Sequence, residues 1–401
     1  MISVSEARAK IVGAVTPVGT ESISVLESLG RVLAENAVAR ISHPAANVSA
    51  MDGYAVRAAD ATLNATLKVT GTSAAGHPWD GSVGHGEAAR IFTGAHVPNG
   101  ADAIVLQEDA TAGDGPAGTK SVAINEAAIL GKHIRPQGQD FKTGETVLHA
   151  PRRISFRDVG LLAAMNLPHL NVYKRPRVGV LSTGDEVVMP GDDVKHGQLV
   201  SANGPGLCAF VAAMGATPVH LGIARDDATS LAAMANAATN IDMLITTGGV
   251  SVGDHDLIAK VLGENGLNVD FHKIAMRPGK PLLFGNLKGI PFFGLPGNPV
   301  SAMVCAILYA GPALARLQGL EGAAPATVKA RLSVGLKAND KREDFLRATL
   351  ERTAAGELIA TPYPKQDSAM ITTLAKADGL VIRPPFAPQA VAGEIVDVIT
   401  L

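Results

Sequence analysis

Thr246-Thr247-Gly248-Gly249-Val250-Ser251-Val252-Gly253-Asp254-His255-Asp256 follows directly on the apolar run Ile241 to Ile245. A short apolar run bounded by turn residues reads as a buried strand, and a loop this rich in glycine can lay its backbone against a ligand. Around it, the run Val178 to Leu181 reads as a strand, Pro205 to Met214 as a helix, Pro218 to Leu221 as a strand and Asp227 to Ala238 as a helix. Leu257 to Leu262 then reads as a helix, Leu282 to Phe284 and Phe292 to Phe293 as strands, and Val300 to Leu317 as a helix. That alternation predicts an α/β domain over residues 174 to 320 with a mostly parallel sheet, whose ligands sit beyond the carboxyl ends of its strands. Two further loops, Arg277-Pro278-Gly279-Lys280-Pro281 and Leu295-Pro296-Gly297-Asn298-Pro299, each lie beside a short apolar strand.

The flanks differ. Residues 1 to 45 space apolar and charged groups as a helix does, with Ser3 and Ser5 as candidate N-caps and Val25, Leu26 and Leu29 on one face. Residues 46 to 139 break into short β-rich pieces, Leu67 to Thr70, Ala89 to Phe92, Ala103 to Leu106 and Ser121 to Ile124, and read as a small β domain. Helical spacing returns in residues 151 to 173, so segments 1 to 45 and 140 to 173 are expected to form a helical arm with the β domain inserted between them. Lys174-Arg175-Pro176 reads as a linker, and residues 321 to 401 as a C-terminal β domain. The fold class expected is multidomain, α/β plus β.

At 401 residues the chain exceeds the roughly 100 to 200 residues of one domain. A net charge of -2 without a basic stripe argues against nucleic acid as a partner. The only cysteines, Cys208 and Cys305, sit in apolar helical contexts and read as reduced core thiols. No uninterrupted apolar run approaches the roughly 18 residues of a membrane span, and Glu6, Arg8 and Lys10 interrupt the N-terminal segment, so no membrane association and a cytoplasmic location are expected.

Three acidic groups, Thr183-Gly184-Asp185-Glu186, Arg225-Asp226-Asp227 and Asp254-His255-Asp256, follow strands of the expected sheet and therefore face one crevice. Carboxylates repel an anionic ligand, whereas Arg277, Lys280 and the Gly248-Gly249 amides attract one; a divalent cation between the two sets reconciles them, and all-oxygen donors favour Mg²⁺. A plainer reading stands beside this one. Asp226, Asp227 and Asp254 could each cap a helix, and Pro299 could simply start one. Asp52-Gly53 and Thr93-Gly94 read as hairpin turns, and Asp140 as a turn residue. The eleven histidines show no metal spacing, and no P-loop, dinucleotide fingerprint or nucleophile elbow is present.

Seven stretches taken in order, SAMDGYAV (Ser49 to Val56), RIFTGAHVPNGAD (Arg90 to Asp102), TGDE (Thr183 to Glu186), TGGVSVGDHD (Thr247 to Asp256), MRPGKP (Met276 to Pro281), LPGNPVSA (Leu295 to Ala302) and SAMITTLAKADGL (Ser368 to Leu380), resemble the MoeA family of molybdopterin molybdenumtransferases and the E domain of gephyrin. The resemblance implies a homodimer with a central molybdopterin-binding domain and a C-terminal β-barrel-like domain. It implies an enzyme of molybdenum cofactor biosynthesis that inserts molybdate into adenylylated molybdopterin, releasing AMP with the help of Mg²⁺. Other proteins of that biosynthesis are further expected partners.

The family's catalytic acids and hydroxyl fall on Asp52, Thr93, Asp140, Glu186, Asp226 and Asp256, with Glu186, Asp226 and Asp256 as the metal set. Its substrate-binding positions fall on Gly248, Gly249, Ser251, Arg277, Lys280, Pro281, Gly297, Asn298, Ser301, Arg342 and Ser368. Relatives often carry Lys at the position of Arg277, and Arg347 competes with Arg342 as the oxyanion ligand. Rival readings are an adenylyltransferase or pyrophosphatase built on the same α/β module, which would not need the Met51-Asp52-Gly53-Tyr54 loop, and a protein-binding scaffold, which would not need all the acids and bases.

Overall fold

A computed structural model describes residues 1–237, 239–249 and 257–401. They form two compact units: Met1–Glu21 with Gly30–Ala34 and Val172–Leu401, and Ser22–Leu29 with Glu35–Asn171.

The first unit contains a six-stranded sheet in the order Thr217–Ala224, Arg177–Thr183, Met243–Thr247, Ile290–Leu295, Leu283–Leu287, Leu267–Phe271. The first four strands are parallel and Leu283–Leu287 alone runs against them, antiparallel to both its neighbours, so the sheet is mostly parallel as expected. Every residue of Met243–Thr247 is buried, as both faces of such a sheet are covered. This strand sits two residues beyond the apolar run that announced it. Asp242 stays outside, its carboxylate accepting the Arg177 N–H at 2.7 Å, and Thr246 enters because its hydroxyl finds the Phe293 carbonyl. Leu267–Phe271 escapes a sequence reading because only its end residues are buried, the mark of an edge strand.

One core cluster joins this sheet to its helices: Val178, Val180, Ile245 and Phe293 pack with Leu207 and Val211 of helix Asn203–Ala213 and with Val304 and Leu308 of the stretch after Pro299. Helix in the N-terminal segment of this unit is confined to Val4–Ala14, and its Val4, Ala7 and Ile11 enter the same core. Ser3 is its N-cap, in a reciprocal capping box with Glu6. The stretch Pro299–Leu317 is long and apolar enough to cross a membrane by length and composition, yet 78% of it is buried inside the protein, which accounts for its apolarity. It contains a π-helical turn, Ala306–Ala310, just before Pro312. A proline there cannot donate to the preceding turn, and the wider turn accommodates it.

Beyond the sheet, Glu343–Arg352, Leu358–Pro362, Thr327–Leu332, Ile395–Thr400 and Gly379–Arg383 pair in that order, and the last closes back on the first to make a five-stranded barrel. The short strand Met276–Arg277 runs parallel to Glu343–Arg352, so the basic loop is hydrogen-bonded to the barrel.

The second unit carries a six-stranded sheet ordered Ala103–Leu106, Gly53–Val56, Glu87–Ile91, Thr66–Ser73, Lys120–Ile124, Ala110–Asp114. Gly53 is obligatory, since a Cβ there would meet the Val105 carbonyl oxygen at 1.9 Å. Helix in this unit's 151–171 stretch is limited to Phe156–Ala164, started by a Ser155–Asp158 capping box. Asn166 at φ +61° and Pro168 stop it, and His169–Tyr173 is extended instead. Val25, Leu26 and Leu29 do not form a helical face: Val25–Glu27 is a single 3₁₀ turn, and Leu26 is 86% exposed.

Candidate functional site

A cavity of about 540 Å³ opens at the carboxyl ends of the parallel strands, its walls including Thr183, Glu186, Asn203, Thr247, Gly248 and Gly297. That is the place the topology of an open α/β sheet assigns to a ligand. Gly248 and Gly249 have φ of +94° and +63°, and a Cβ on Gly248 would lie 2.4 Å from the Thr183 carbonyl oxygen, so the loop can follow this path only with glycine. The expected anion nest is narrower than the sequence suggests, because the Gly248 N–H already donates to the Leu295 carbonyl at 3.3 Å. Ser251 and Asp256 lie outside the described residues.

Gly297 and Asn298 line the cavity beside Gly248, and a Cβ on Gly297 would lie 3.6 Å from the Gly248 Cα. Asn298 precedes the helix that Pro299 starts, and its carbonyl accepts the Ala302 N–H. The Val300 N–H donates to the carbonyl of Ser368 at 3.1 Å, which ties the 368 segment to this helix start. Ser301 is buried behind it. Thr183 is 3% exposed and its hydroxyl has no hydrogen-bond partner among the described residues.

The acidic rim comes together in part. Asp226 donates its N–H to Asp185 Oδ1 at 3.2 Å, while Asp227 caps the next helix by accepting the Ser230 N–H at 2.8 Å. Capping therefore explains Asp227 and leaves Asp226 unexplained. Burial, and then the charges of Glu186 and Asp185, push the Asp226 carboxyl above its ordinary range. Oxygen donors of this kind are the ligands that a hard cation such as Mg²⁺ takes. Among the described residues no group of three or more His, Cys, Asp or Glu side chains is arranged to hold a metal, and the third member of the expected set, Asp256, is outside them.

The basic loop is organised otherwise. Arg277 donates from Nε to Asp344 Oδ1 at 2.8 Å and from Nη2 to Asp344 Oδ2, reaches Asn339 Oδ1 at 3.2 Å, and lies 3.7 Å from Asp340 through Nη1. This hydrogen bonding to Asp344 raises its pKa further. Lys280 is exposed with no side-chain partner among the described residues, and Pro281 follows it half-buried. Arg342 grips Asp340 at 2.8 Å, holding that carboxyl down at about 2. Arg347 is 1% exposed; it donates to Gln366 Oε1 and the Met370 carbonyl, bracing the segment that carries Ser368. Of the two arginines left open by the sequence, Arg342 is the more accessible and Arg347 is buried against the segment 366–370.

Asp52, Thr93 and Asp140 belong to the second unit. Asp52 Oδ1 accepts both the N–H and the hydroxyl of Thr93 at 2.7 Å, and these bonds hold the carboxyl below its usual range. Arg90 lies over the rings of Tyr54 and Phe92 nearby, at 5.2 and 4.8 Å. Asp140 is exposed, with its N–H on the His43 carbonyl.

Comparison with known proteins accords with this geometry. Three family models match in succession: the MoeA N-terminal region (domains I and II) over residues 2–166, a probable molybdopterin binding domain over 179–316, and the MoeA C-terminal region (domain IV) over 329–401. The molybdopterin molybdenumtransferase of Haemophilus influenzae is 34% identical over 99% of this chain and 98% of its own. The chain belongs to the MoeA family. Molybdopterin molybdenumtransferase 2 of Mycobacterium tuberculosis is 38% identical over 93% of both chains. A crystal structure of the molybdopterin biosynthesis MoeA protein from Pyrococcus horikosii superposes with a TM-score of 0.86 at 33% identity, covering 100% of this chain and 99% of that one. In the MoeA family member described here, the sequence reading missed two groups at the cavity, Asn203 and the Thr183 hydroxyl. Asn203 had a signal: it opens the helix that follows the first parallel strand, where the topological rule looks for ligand groups.

Proposed function

We propose that this chain inserts molybdate into adenylylated molybdopterin, releasing AMP in a Mg²⁺-dependent step, as a cytoplasmic homodimer with its cysteines reduced. The observation that carries the reading is the 540 Å³ cavity at the strand ends of the stretch matched by the molybdopterin binding domain, walled in part by Glu186, whose charge helps to raise the Asp226 carboxyl. Relatives named molybdopterin molybdenumtransferase supply the reaction class.

In this reading the pterin lies in the cavity with its phosphate toward the Gly249 backbone. Glu186 and Asp226, with Asp256, would hold Mg²⁺, which supplies charge neutralisation at the phosphates. Lys280 meets molybdate with an unengaged ammonium, assisted by Ser301, Ser368 and Arg342. Arg277 already has two carboxylate partners, so its part is to hold the loop that presents Lys280. No protein nucleophile is required. Leu26 and Phe156, both largely exposed on the second unit, offer apolar surface that a second copy would cover.

The test is single-turnover AMP release from adenylylated molybdopterin with Mg²⁺, with and without molybdate. Molybdate-dependent release, with metal in the pterin product, is expected; tight pterin binding without release would replace the transferase by a scaffold. Glu186→Ala should abolish product while the protein stays folded. Sedimentation of Leu26→Ser/Phe156→Ser against the unaltered chain tests the dimer, which should dissociate.

A further inference from the structure

We propose that Asn203 recognises the 2-amino group of the pterin ring and sets the pterin selectivity of the cavity, an inference that rests on the molybdopterin reading above. The side chain opens the helix Asn203–Ala213 and lines the 540 Å³ cavity. Its amide nitrogen donates to Thr247 Oγ1 and to the Gly297 carbonyl, each at 2.8 Å. A carbonyl oxygen only accepts, so the contact with Gly297 fixes which end of the amide is nitrogen. Thr247 Oγ1 in turn donates to the Pro296 carbonyl at 3.2 Å, which leaves it to accept from Asn203. The amide is therefore locked in one orientation by two loops of the ligand crevice.

Locking the nitrogen end leaves Oδ1 as the free end, and among the described residues it has no partner. An acceptor on the cavity wall repels phosphate and favours an N–H donor. A pterin ring carries such a donor in its exocyclic 2-amino group, and 540 Å³ lies in the size range of a pocket for a molecule of this class. Asn203 thus has two separable duties: its nitrogen clamps the Thr247 and Gly297 loops together, and its oxygen reads the ring.

The probes are two 6-hydroxymethyl phosphates, one of pterin and one of lumazine, which replaces the 2-amino group by a carbonyl oxygen and sets acceptor against acceptor. Affinities are measured by calorimetry on the full-length protein, with folding checked by circular dichroism. The unaltered chain should prefer the pterin by about tenfold or more, as a site built around a hydrogen bond rejects an analogue lacking it. Asn203→Ala should bind the pterin about tenfold more weakly and lose the preference. Asn203→Asp keeps an oxygen for the ring and loses the clamp, so it should bind both probes more weakly and keep the preference. Unchanged preference in Asn203→Ala overturns the assignment while leaving the molybdopterin reading intact. Failure of the unaltered chain to bind the pterin probe overturns both.

Discussion

Two charged rims of the first unit solve the same electrostatic problem in opposite ways. Around Asp226, burial and then the like charges of Glu186 and Asp185 raise the carboxyl. Around Arg277 each charge has an opposite partner: Asp344 accepts from two of its nitrogens, Asp340 stands at 3.7 Å, and Arg342 takes Asp340 in turn. A self-neutralised cluster is a fastening, whereas neighbouring like charges favour the approach of a counter-ion. Formal charge in a motif therefore misleads unless one asks who already answers it. Arg277 and Lys280 are three residues apart in one loop, yet among the described residues the arginine is paired and the lysine has no side-chain partner.

The sharpest way to break this contrast is Arg277→Ala, which leaves the nearly buried Asp344 without its cation. The expected loss is about 2 kcal/mol, below the usual figure for a broken buried pair because half of the Arg277 side chain is in water. Denaturant unfolding reads it, and a stability within a few tenths of the unaltered chain would make the cluster ornamental. Arg277→Lys keeps the charge without the two-pronged geometry and should recover only part of the loss. Lys280→Ala should behave in reverse, leaving unfolding unchanged while weakening molybdate binding about tenfold, which is about 1.4 kcal/mol. Equal molybdate affinity in the two alanine variants would erase the distinction between fastening and ligand.

The acidic rim gives a smaller effect with a definite sign. A carboxyl whose folded pKa is raised binds its proton more tightly folded than unfolded, so its contribution to stability falls as pH rises above the ordinary aspartate value of 3.8 and through the folded value. Asp226→Asn should therefore raise the melting temperature at neutral pH and confer little at acid pH. Mg²⁺ should stabilise the unaltered chain more than this variant, which thermal melts with and without the ion would read. The least effect is expected at Asp52, whose carboxyl is lowered by Thr93. Its stabilisation is present above the unfolded pKa and is lost as pH falls through the folded one. Thr93→Val should lower the melting temperature slightly at neutral pH, with the difference vanishing in acid.

How much of this could be read in the chain follows from where each signal is stored. The parallel strands announce themselves because burial on both faces demands apolar runs, and the loops because glycine is needed where φ is positive, as at Gly248. Leu267–Phe271 shows no such run, since an edge strand wets most of its side chains. The apolar spacing of Val25, Leu26 and Leu29 mimicked a helix, although Leu26 faces water. Partnerships across long separations were invisible altogether: Asp344 stands 67 positions from Arg277, and Gly297 stands 94 from Asn203. The glycine loops at the strand ends were thus legible in the chain, whereas the pairing of Arg277 with Asp344 was not.

Gly279 and Cys305 lend the molecule a built-in clock. A Cβ on Gly279 would sit 2.4 Å from Cys305 Sγ, and burial pushes this thiol's pKa far above its ordinary value. The sulfur is therefore silent toward alkylating reagents for as long as the basic loop stays folded over it. In a Cys208→Ser background, the rate at which label appears on Cys305 would count the openings of that loop, one chain at a time, under conditions where every bulk signal still reports a native protein.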